Sequence, residues 1–548
     1  MRPQPWNRFA QLPALSTNAL ILLVAAFIVA TGNQTFFSLV FRLYSWRDGS
    51  GAMAVALAAL LFLIIALMLA LFAWGRAAKP VLAATVLVCA LTAAFMDSYG
   101  VVINDEMIRN VLRTNVAETS DLISLRLLAT LFMMGVLPTL LLASVPLQAR
   151  PWRRELLARV VLMVSLAAAM AVLTYGFSAS LASFAREHKS VRSYANPGYP
   201  LYSAIKYLRS QWRPTRGGPL LAWGADARIA PTDKTRDLLI LVVGETARAD
   251  HFGINGYSRD TTPELDKAGV ISFANVQACG TSTAFSVPCI FSSRGAGHFE
   301  PDLAGGEENL LDVLKRTGVN VLWLDNNSDS QGVAERVPFV DFRSPENNPL
   351  CDIECRDEGM LIGLQSRIDK FPTGDIVIVL HQMGNHGPAY FKRYPPAFER
   401  YDPACRNRDL GQCSRDEVIN AYDNAIAYTD HFLGKTIELL RNNDKKFETA
   451  LLYVSDHGES LGEGGVYLHG LPRAIAPNGQ LHVPAVLWLG SSVARIDRAS
   501  LQKMAALPSS HDNIFHTVLG FLEIETAGYR KDLDLLAKAT SPKAKDQP

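Results

Sequence analysis

Five apolar runs crowd the first third of the chain, at about 19–41, 52–74, 81–96, 127–145 and 160–181. A helix needs roughly 20 such residues to cross a bilayer, so this part of the chain reads as five transmembrane helices. The run at 81–96 is short and gains length by continuing through Ser98 and Tyr99. A buried core helix is the competing reading of each run, and a cleaved signal peptide is the competing reading of the first. Four further spans follow that first run and no small-residue cleavage site closes it, which argues against cleavage.

Basic residues set the orientation. Arg2 and Arg8 precede the first run, Arg76 and Lys79 separate the second from the third, and Arg150, Arg153, Arg154 and Arg159 lie between the fourth and the fifth. By the positive-inside rule these stretches are cytoplasmic, and an odd number of spans then puts everything after about residue 184 outside the inner membrane. From 217 to 548 the composition is that of a soluble domain large enough for one core. The expected organisation is a five-helix transmembrane domain (1–184), a linker (185–216) and a periplasmic α/β domain (217–548). In the linker, YPLYSAIKYLRSQW (199–212) alternates apolar residues with Lys206 and Arg209 at helical spacing, as an interfacial helix or an ordinary linker helix would. The net charge of +1 gives no support for nucleic-acid binding.

Cysteine usage agrees with that sidedness. Of seven cysteines, Cys89 falls in a span, while Cys279, Cys289, Cys351, Cys355, Cys405 and Cys413 fall in the exported part. Six thiols in an oxidising compartment imply disulfides, and the sequence-local pairs 279 with 289, 351 with 355 and 405 with 413 are expected. Each closes a short loop and adds only about 2 to 3 kcal/mol, so each holds a loop's shape more than it holds the fold. A zinc site built from these cysteines is the rival reading.

The exported part alternates short apolar runs with amphipathic stretches: LLILVV (238–243), VNVLWL (319–324), DIVIVL (375–380), ALLYV (450–454) and VPAVLWL (483–489). That order suggests parallel strands joined by helices. Glu245 follows the first strand, Asp325, Asn326 and Asn327 the second, His381 and His386 the third, and Asp456 with His457 the fourth. In open α/β sheets ligands bind beyond the carboxyl ends of the strands. A single Asp-His pair there would more often be structural; carboxylates and imidazoles at four strand ends point to zinc or manganese ligands. The stretch CGTSTAFSVPC (279–289) runs into a helix start, where a hydroxyl meets the positive end of the helix dipole and a phosphoryl anion is welcome. Coordination to a divalent cation lowers an alcohol's pKa. The residues themselves leave Thr281, Ser282 and Thr283 open as the nucleophile, and an ordinary Ser/Thr-rich cap tied by a disulfide is the plain alternative.

Five long motifs carry a family resemblance: GETARADHFGINGYSRDTTPEL (244–265), CGTSTAFSVPC, HQMGNHGPAYFKRYP (381–395), SDHGESLGEGGVYLHG (455–470) and SHDNIFHTVLG (510–520). With the five-span part, the chain resembles the lipid A phosphoethanolamine transferases, both the chromosomal and the mobile colistin-resistance kinds. The resemblance implies an alkaline-phosphatase/sulfatase-like catalytic domain that moves phosphoethanolamine from phosphatidylethanolamine to a lipid A phosphate, and with it polymyxin resistance. It makes Thr283 the nucleophile, with Glu245, Asp456 and His457 holding Zn2+ alongside it. It gives His386 and His469 a second zinc or the substrate phosphate. Asn110, Thr114 and Glu118, spaced four apart on one helix face, match a trio near the donor head group, with a solvated helix face as the plain reading. Ser328 matches a substrate contact, and Gln331 stands where several relatives carry Lys, so a neutral donor replaces a charge. His381, His511 and His516 sit in matching motifs and read as structural.

The resemblance also implies a monomer partnered by phosphatidylethanolamine, lipid A and the inner membrane, with no nucleic acid. Three rivals remain. One is transfer to core sugars, and another is a phosphoglycerol transferase on the same scaffold. The third is a membrane-anchored binding or sensor protein with a structural metal. A sulfatase would need Cys or Ser within C-x-P-x-R, which neither Cys279-Gly280-Thr281 nor Cys289-Ile290-Phe291 supplies.

Overall fold

The computed structural model describes residues 14–46, 50–113, 120–211 and 220–540; Arg2, Arg8, Thr114 and Glu118 lie outside the described residues. The chain divides into two compact units. The first comprises Met1–Asp105 with Ile123–Lys206, the second Glu106–Leu122 with Tyr207–Pro548.

In the first unit the apolar runs become α1 (Thr17–Thr31), α2 (Gln34–Leu43), α3 (Gly51–Phe72), α4 (Ala78–Tyr99), α5 (Leu125–Ser144) and α6 (Trp152–Gly176). Four are long and apolar enough to cross a membrane singly, and α1 with α2, bent by 64° at their break, makes a fifth if the pair is counted as one broken span. The short run at 81–96 is extended at both ends by α4. The bend in the first span is held by side chains that replace lost backbone partners. Asn33 Nδ2 donates to the Ile28 and Asn196 carbonyls (3.1 and 3.0 Å), and Asn196 Nδ2 donates to the Gly32 and Cys89 carbonyls (both 3.0 Å). Both asparagines are buried, so the backbone opened by the break is satisfied within the protein. The stretch 199–212 forms α7 (Gly198–Gln211).

The second unit is built on eight strands: β1 (Asp237–Gly244), β2 (Ile271–Gln277), β3 (Asn320–Asp325), β4 (Phe339–Asp341), β5 (Ile376–His381), β6 (Glu448–Ser455), β7 (His482–Leu489) and β8 (Ser509–Ser510). Their order is β8-β2-β7-β6-β1-β5-β3-β4. The middle strands β6, β1, β5 and β3 run parallel and are in register, Val243 opposite both His381 and Val454, and Asp325 opposite His381. Every residue of β1 is buried, as apolar runs covered on both faces require. The expectation of a wholly parallel sheet is corrected at β7, which is antiparallel to both β6 and β2. A parallel return needs a long crossover. The chain from 456 to 481 instead spends its residues along the edge where β6 ends, so β7 re-enters the sheet from that edge.

The periodic stretch at 416–440 is one helix, α9 (Arg415–Asn443), started by a capping box in which Ser414 and Glu417 satisfy each other's backbone N–H. Before it in the chain, the short helix α8 spans Thr283–Ile290. From α9, buried Tyr422 reaches the turn after β1: its hydroxyl donates to Thr246 O (2.7 Å) and accepts from Arg248 N (2.9 Å). Thr246 has φ +53°, a conformation that needs such support. Replacing Tyr422 by Phe leaves the Arg248 N–H buried without an acceptor. The Tyr422→Phe protein is expected to lose about 1–3 kcal/mol of stability, measured by denaturant titration.

Candidate active site

Four side chains converge at the carboxyl edge of the parallel strands. Glu245 is the residue after β1, Asp456 and His457 follow β6, and Thr283 is the first residue of α8. Thr283 Oγ1 donates to Glu245 Oε2 (3.1 Å) and lies 3.4 Å from His457 Nε2. The same Nε2 is 3.3 Å from Glu245 Oε1 and 3.3 Å from Asp456 Oδ2. Glu245, Asp456 and His457 are fully buried, and Thr283 is 3% exposed. Of the neighbouring hydroxyls, Thr281 Oγ1 donates to Leu471 O (2.7 Å) and Ser286 Oγ accepts from Gly280 N (3.1 Å), while Ser282 Oγ is buried with no hydrogen bond among the described residues. Cys279 and Cys289, bonded to each other, close the loop that delivers Thr283. The other disulfides, Cys351–Cys355 and Cys405–Cys413, hold loops that contribute no atom to this cluster.

The cluster asks for positive charge. Glu245 Oε1 and Asp456 Oδ2 are buried and accept no hydrogen bond among the described residues, and the ligand atoms of Glu245, Asp456 and His457 all lie within 4.8 Å of one another. His457 Nδ1 lies 2.9 Å from Gly458 O; a carbonyl only accepts, so Nδ1 carries the proton and Nε2 faces the carboxylates, the orientation in which a carbonyl holds an imidazole ready to ligate a metal. Burial would lower the His457 pKa, but Asp456 and Glu245 raise it to about 10. Burial, with Glu245 beside it, pushes Asp456 up to about 7. Burial opposes ionisation of Glu245 as well, yet His457 holds it well below the usual carboxylate range. Two carboxylates, one imidazole and one hydroxyl fit a divalent cation with room for a reacting group.

Around this cluster the backbone is close-packed. Gly384 has φ +50°, and a Cβ there would fall 3.0 Å from both Glu245 N and Glu245 O, so only glycine lets the β5 loop lie against the Glu245 backbone. Asn327, from the loop after β3, donates through Nδ2 to Glu245 Oε2 (2.8 Å) and to Gln382 O (2.6 Å). Sequence reasoning put Asn327 at a strand end but assigned it no part in the site; its position was the one available signal. His469 packs its ring 4.3 Å from that of His457 and 5.5 Å from that of His386. Buried Glu459 holds His469 Nδ1 at 3.2 Å, a partner the motif contained but did not reveal. Burial lowers His386 to about 3, leaving a neutral imidazole beside the carboxylates.

The remaining site residues are distributed as follows. Ser328 and Gln331 follow Asn327; Gln331 Nε2 donates to Ser328 O (3.1 Å) and Gln331 Oε1 accepts from Arg113 Nη1 (3.4 Å). Asn110 is half-buried on the helix Asp105–Arg113. That helix reaches the His469 segment through Met107, whose Cε lies 2.7 Å from where a Cβ on Gly470 would be. Further along, Asp121 binds Lys392 and Arg393, and Arg393 Nε donates to His386 O (2.6 Å). Of the other histidines, His381 Nδ1 pairs with Asp325 (2.9 Å), His511 Nδ1 accepts from Cys279 N (3.0 Å), and His516 Nδ1 accepts from Arg530 N (3.2 Å).

A mostly parallel sheet with an acid-histidine cluster and a threonine at its carboxyl edge defines an alkaline-phosphatase-like domain. A family model described as Sulfatase matches residues 237–524, and one described as Phosphoethanolamine transferase EptA/EptB matches residues 61–212. The chain is 41% identical over 533 residues to phosphatidylethanolamine transferase Mcr-1 of Escherichia coli, covering 95% of this chain and 97% of that protein. It is 37% identical over 548 residues to phosphoethanolamine transferase EptA of Escherichia coli strain K12, covering 97% and 98%. Its structure matches the integral membrane protein lipooligosaccharide phosphoethanolamine transferase A (EptA) from Neisseria meningitidis with a TM-score of 0.93 and 34% identity, over 97% of this chain and 100% of that one. The chain belongs to the lipid A phosphoethanolamine transferase family, in the alkaline-phosphatase-like superfamily.

A cation entering the cluster displaces protons held by His457 and Asp456, so affinity is expected to strengthen as pH rises from about 6 to about 8. Calorimetry of zinc binding in buffers of different ionisation enthalpy measures the protons released. In the Asp456→Asn protein both the binding and the proton release are expected to be lost.

Proposed function

We propose that the protein transfers phosphoethanolamine from phosphatidylethanolamine to a lipid A phosphate through a covalent phospho-threonine at Thr283, acting as a monomer. It is an inner-membrane protein with its catalytic domain in the periplasm. We take residues 1–184 as the transmembrane domain, 185–216 as the linker and 217–548 as the catalytic domain. The observation that carries the reading is the position of Thr283: a hydroxyl at the first residue of a helix, bonded to a buried carboxylate and beside a buried imidazole.

Glu245, Asp456, His457 and Thr283 would hold one zinc ion, and His386 with His469 would hold a second during turnover or contact the substrate phosphate. A bound divalent ion supplies positive charge that lowers the hydroxyl's pKa and offsets charge on the phosphate oxygens. Glu245 Oε2 holds the hydroxyl proton, so Oγ1 turns its lone pairs toward the pocket. Thr283 Oγ1 then forms the new P–O bond to the donor phosphorus, the P–O bond to the glycerol oxygen breaks, and diacylglycerol leaves with a proton. A lipid A phosphate oxygen attacks the same phosphorus in the second half-reaction, and Thr283 recovers its hydroxyl. The amide end of α8 favours the anionic phosphoryl group in both steps. Asn110, Thr114, Glu118, Ser328 and Gln331 would contact the donor head group. The product carries an ammonium on a formerly anionic surface, which weakens capture of polymyxins and other cationic peptides.

The competing acceptor is a core sugar, and the competing donor is phosphatidylglycerol. Thr283→Ala is expected to abolish both the phosphoethanolamine adduct, seen by mass spectrometry of the intact protein, and turnover, by roughly 10⁴-fold or more. Labelled phosphatidylethanolamine is expected to mark lipid A, while labelled phosphatidylglycerol marks nothing. Full activity without Thr283 would overturn the assignment.

A further inference from the structure

The bend in the first span leaves a cavity of about 120 Å3 among α1, α2, α4 and α5 in the membrane unit. Its apolar floor includes Ile28, Val86, Ala90 and Met134, and its polar rim includes Gln34, Asp97, Arg126 and Thr130. The basic residues Arg76 and Lys79 precede α4, so Asp97, two residues before its end, lies at the outer end of the bundle. Arg126, the second residue of α5, enters from the same side. Thr31 is the last residue of α1 and Gln34 the first of α2. The rim therefore stands at the depth of the outer-leaflet head groups.

Asp97 is placed by the bend itself: it accepts from Thr35 N (3.0 Å) and from Thr35 Oγ1 (2.5 Å) in the first turn of α2. Ionisable side chains on membrane helices are expensive and mark functional sites. Here one acid and one base share a single small cavity with a greasy floor.

We infer that this cavity is a binding seat for the head group of an outer-leaflet aminophospholipid, with its ammonium on Asp97 and its phosphodiester on Arg126. A primary ammonium offers three N–H donors to a carboxylate, and a guanidinium matches phosphate oxygens. A choline head group has no such donors, and a glycerol head group carries no positive charge for Asp97. The apolar floor takes the first part of the acyl chains. The choice of head group rests on the proposed donor, while the site rests on the membrane unit alone.

The test uses the full chain, stripped of lipid in detergent and titrated with phosphatidylethanolamine, phosphatidylglycerol or phosphatidylcholine, with bound lipid counted by native mass spectrometry. Cys89 lines the cavity and is the one cysteine outside the disulfides, so its protection from a small thiol reagent reports occupancy of this cavity. Phosphatidylethanolamine is expected to be retained and to protect Cys89. Arg126→Gln and Asp97→Asn are expected to weaken retention by about tenfold each, the loss of a charged hydrogen bond; Asn at 97 keeps an acceptor for Thr35. Thr130→Leu, which fills the cavity and leaves both charges in place, should do the same. Thr283→Ala should leave retention unchanged, which separates a failure of this site from a failure of the transfer mechanism. Retention unchanged in Arg126→Gln and Thr130→Leu, or equal retention of phosphatidylglycerol, would overturn the proposal.

Discussion

Two carboxylates, Glu245 and Asp456, are buried side by side with one oxygen each unclaimed by any donor among the described residues, and the catalytic unit is organised around that unfavourable pair. Like charges in a poorly solvated interior repel strongly, so the pair is relieved by a proton on Asp456, which is pushed up to about 7, or by positive charge beside it. Without an ion, the proton on His457 fills that role. The residues holding the carboxylates come from adjacent parallel strands, whose register sets their ends at one level. Tyr422 fixes the turn after one strand, and Gly384 lets a neighbouring loop lie against it. The threonine arrives from a separate disulfide-closed loop, so the acid-histidine edge and the hydroxyl are delivered by different segments.

Much of this was legible in the chain. The core strands announce themselves because strands buried on both faces must be apolar throughout, and strand ends then mark where acids and histidines gather. All five apolar runs of the exported part form strands. The antiparallel course of β7 was not legible, since strand direction depends on how the intervening residues are spent. The edge strand β4 has only three residues and no periodicity to find. Three adjacent hydroxyls, Thr281, Ser282 and Thr283, look alike in sequence and only the family resemblance singled out Thr283; in the structure it is Thr283, at the start of α8, whose hydroxyl bonds Glu245. Asn327 and Glu459 escaped notice because their roles are contacts with other site residues.

The membrane unit follows a different logic. There, hydropathy locates the helices but says little about the interruption in the first span. Gly32 and Asn33 look innocuous in a long apolar run, and Asn196 is 163 residues away from Asn33. Only their meeting explains how open backbone is tolerated at that depth, and the same interruption leaves the cavity beside Asp97.

The acidic residue Asp121 belongs to the stretch between the third and fourth spans, yet it is bound to Lys392 and Arg393 of the catalytic unit, and Arg393 in turn holds the His386 carbonyl. The catalytic unit is thus discontinuous in sequence. A soluble fragment cut at residue 217 would carry Glu245, Thr283, Asp456 and His457 and leave Arg393 with Glu354 but without Asp121, so a crystal of such a fragment would show a faithful acid-histidine cluster beside a histidine wall short of one support.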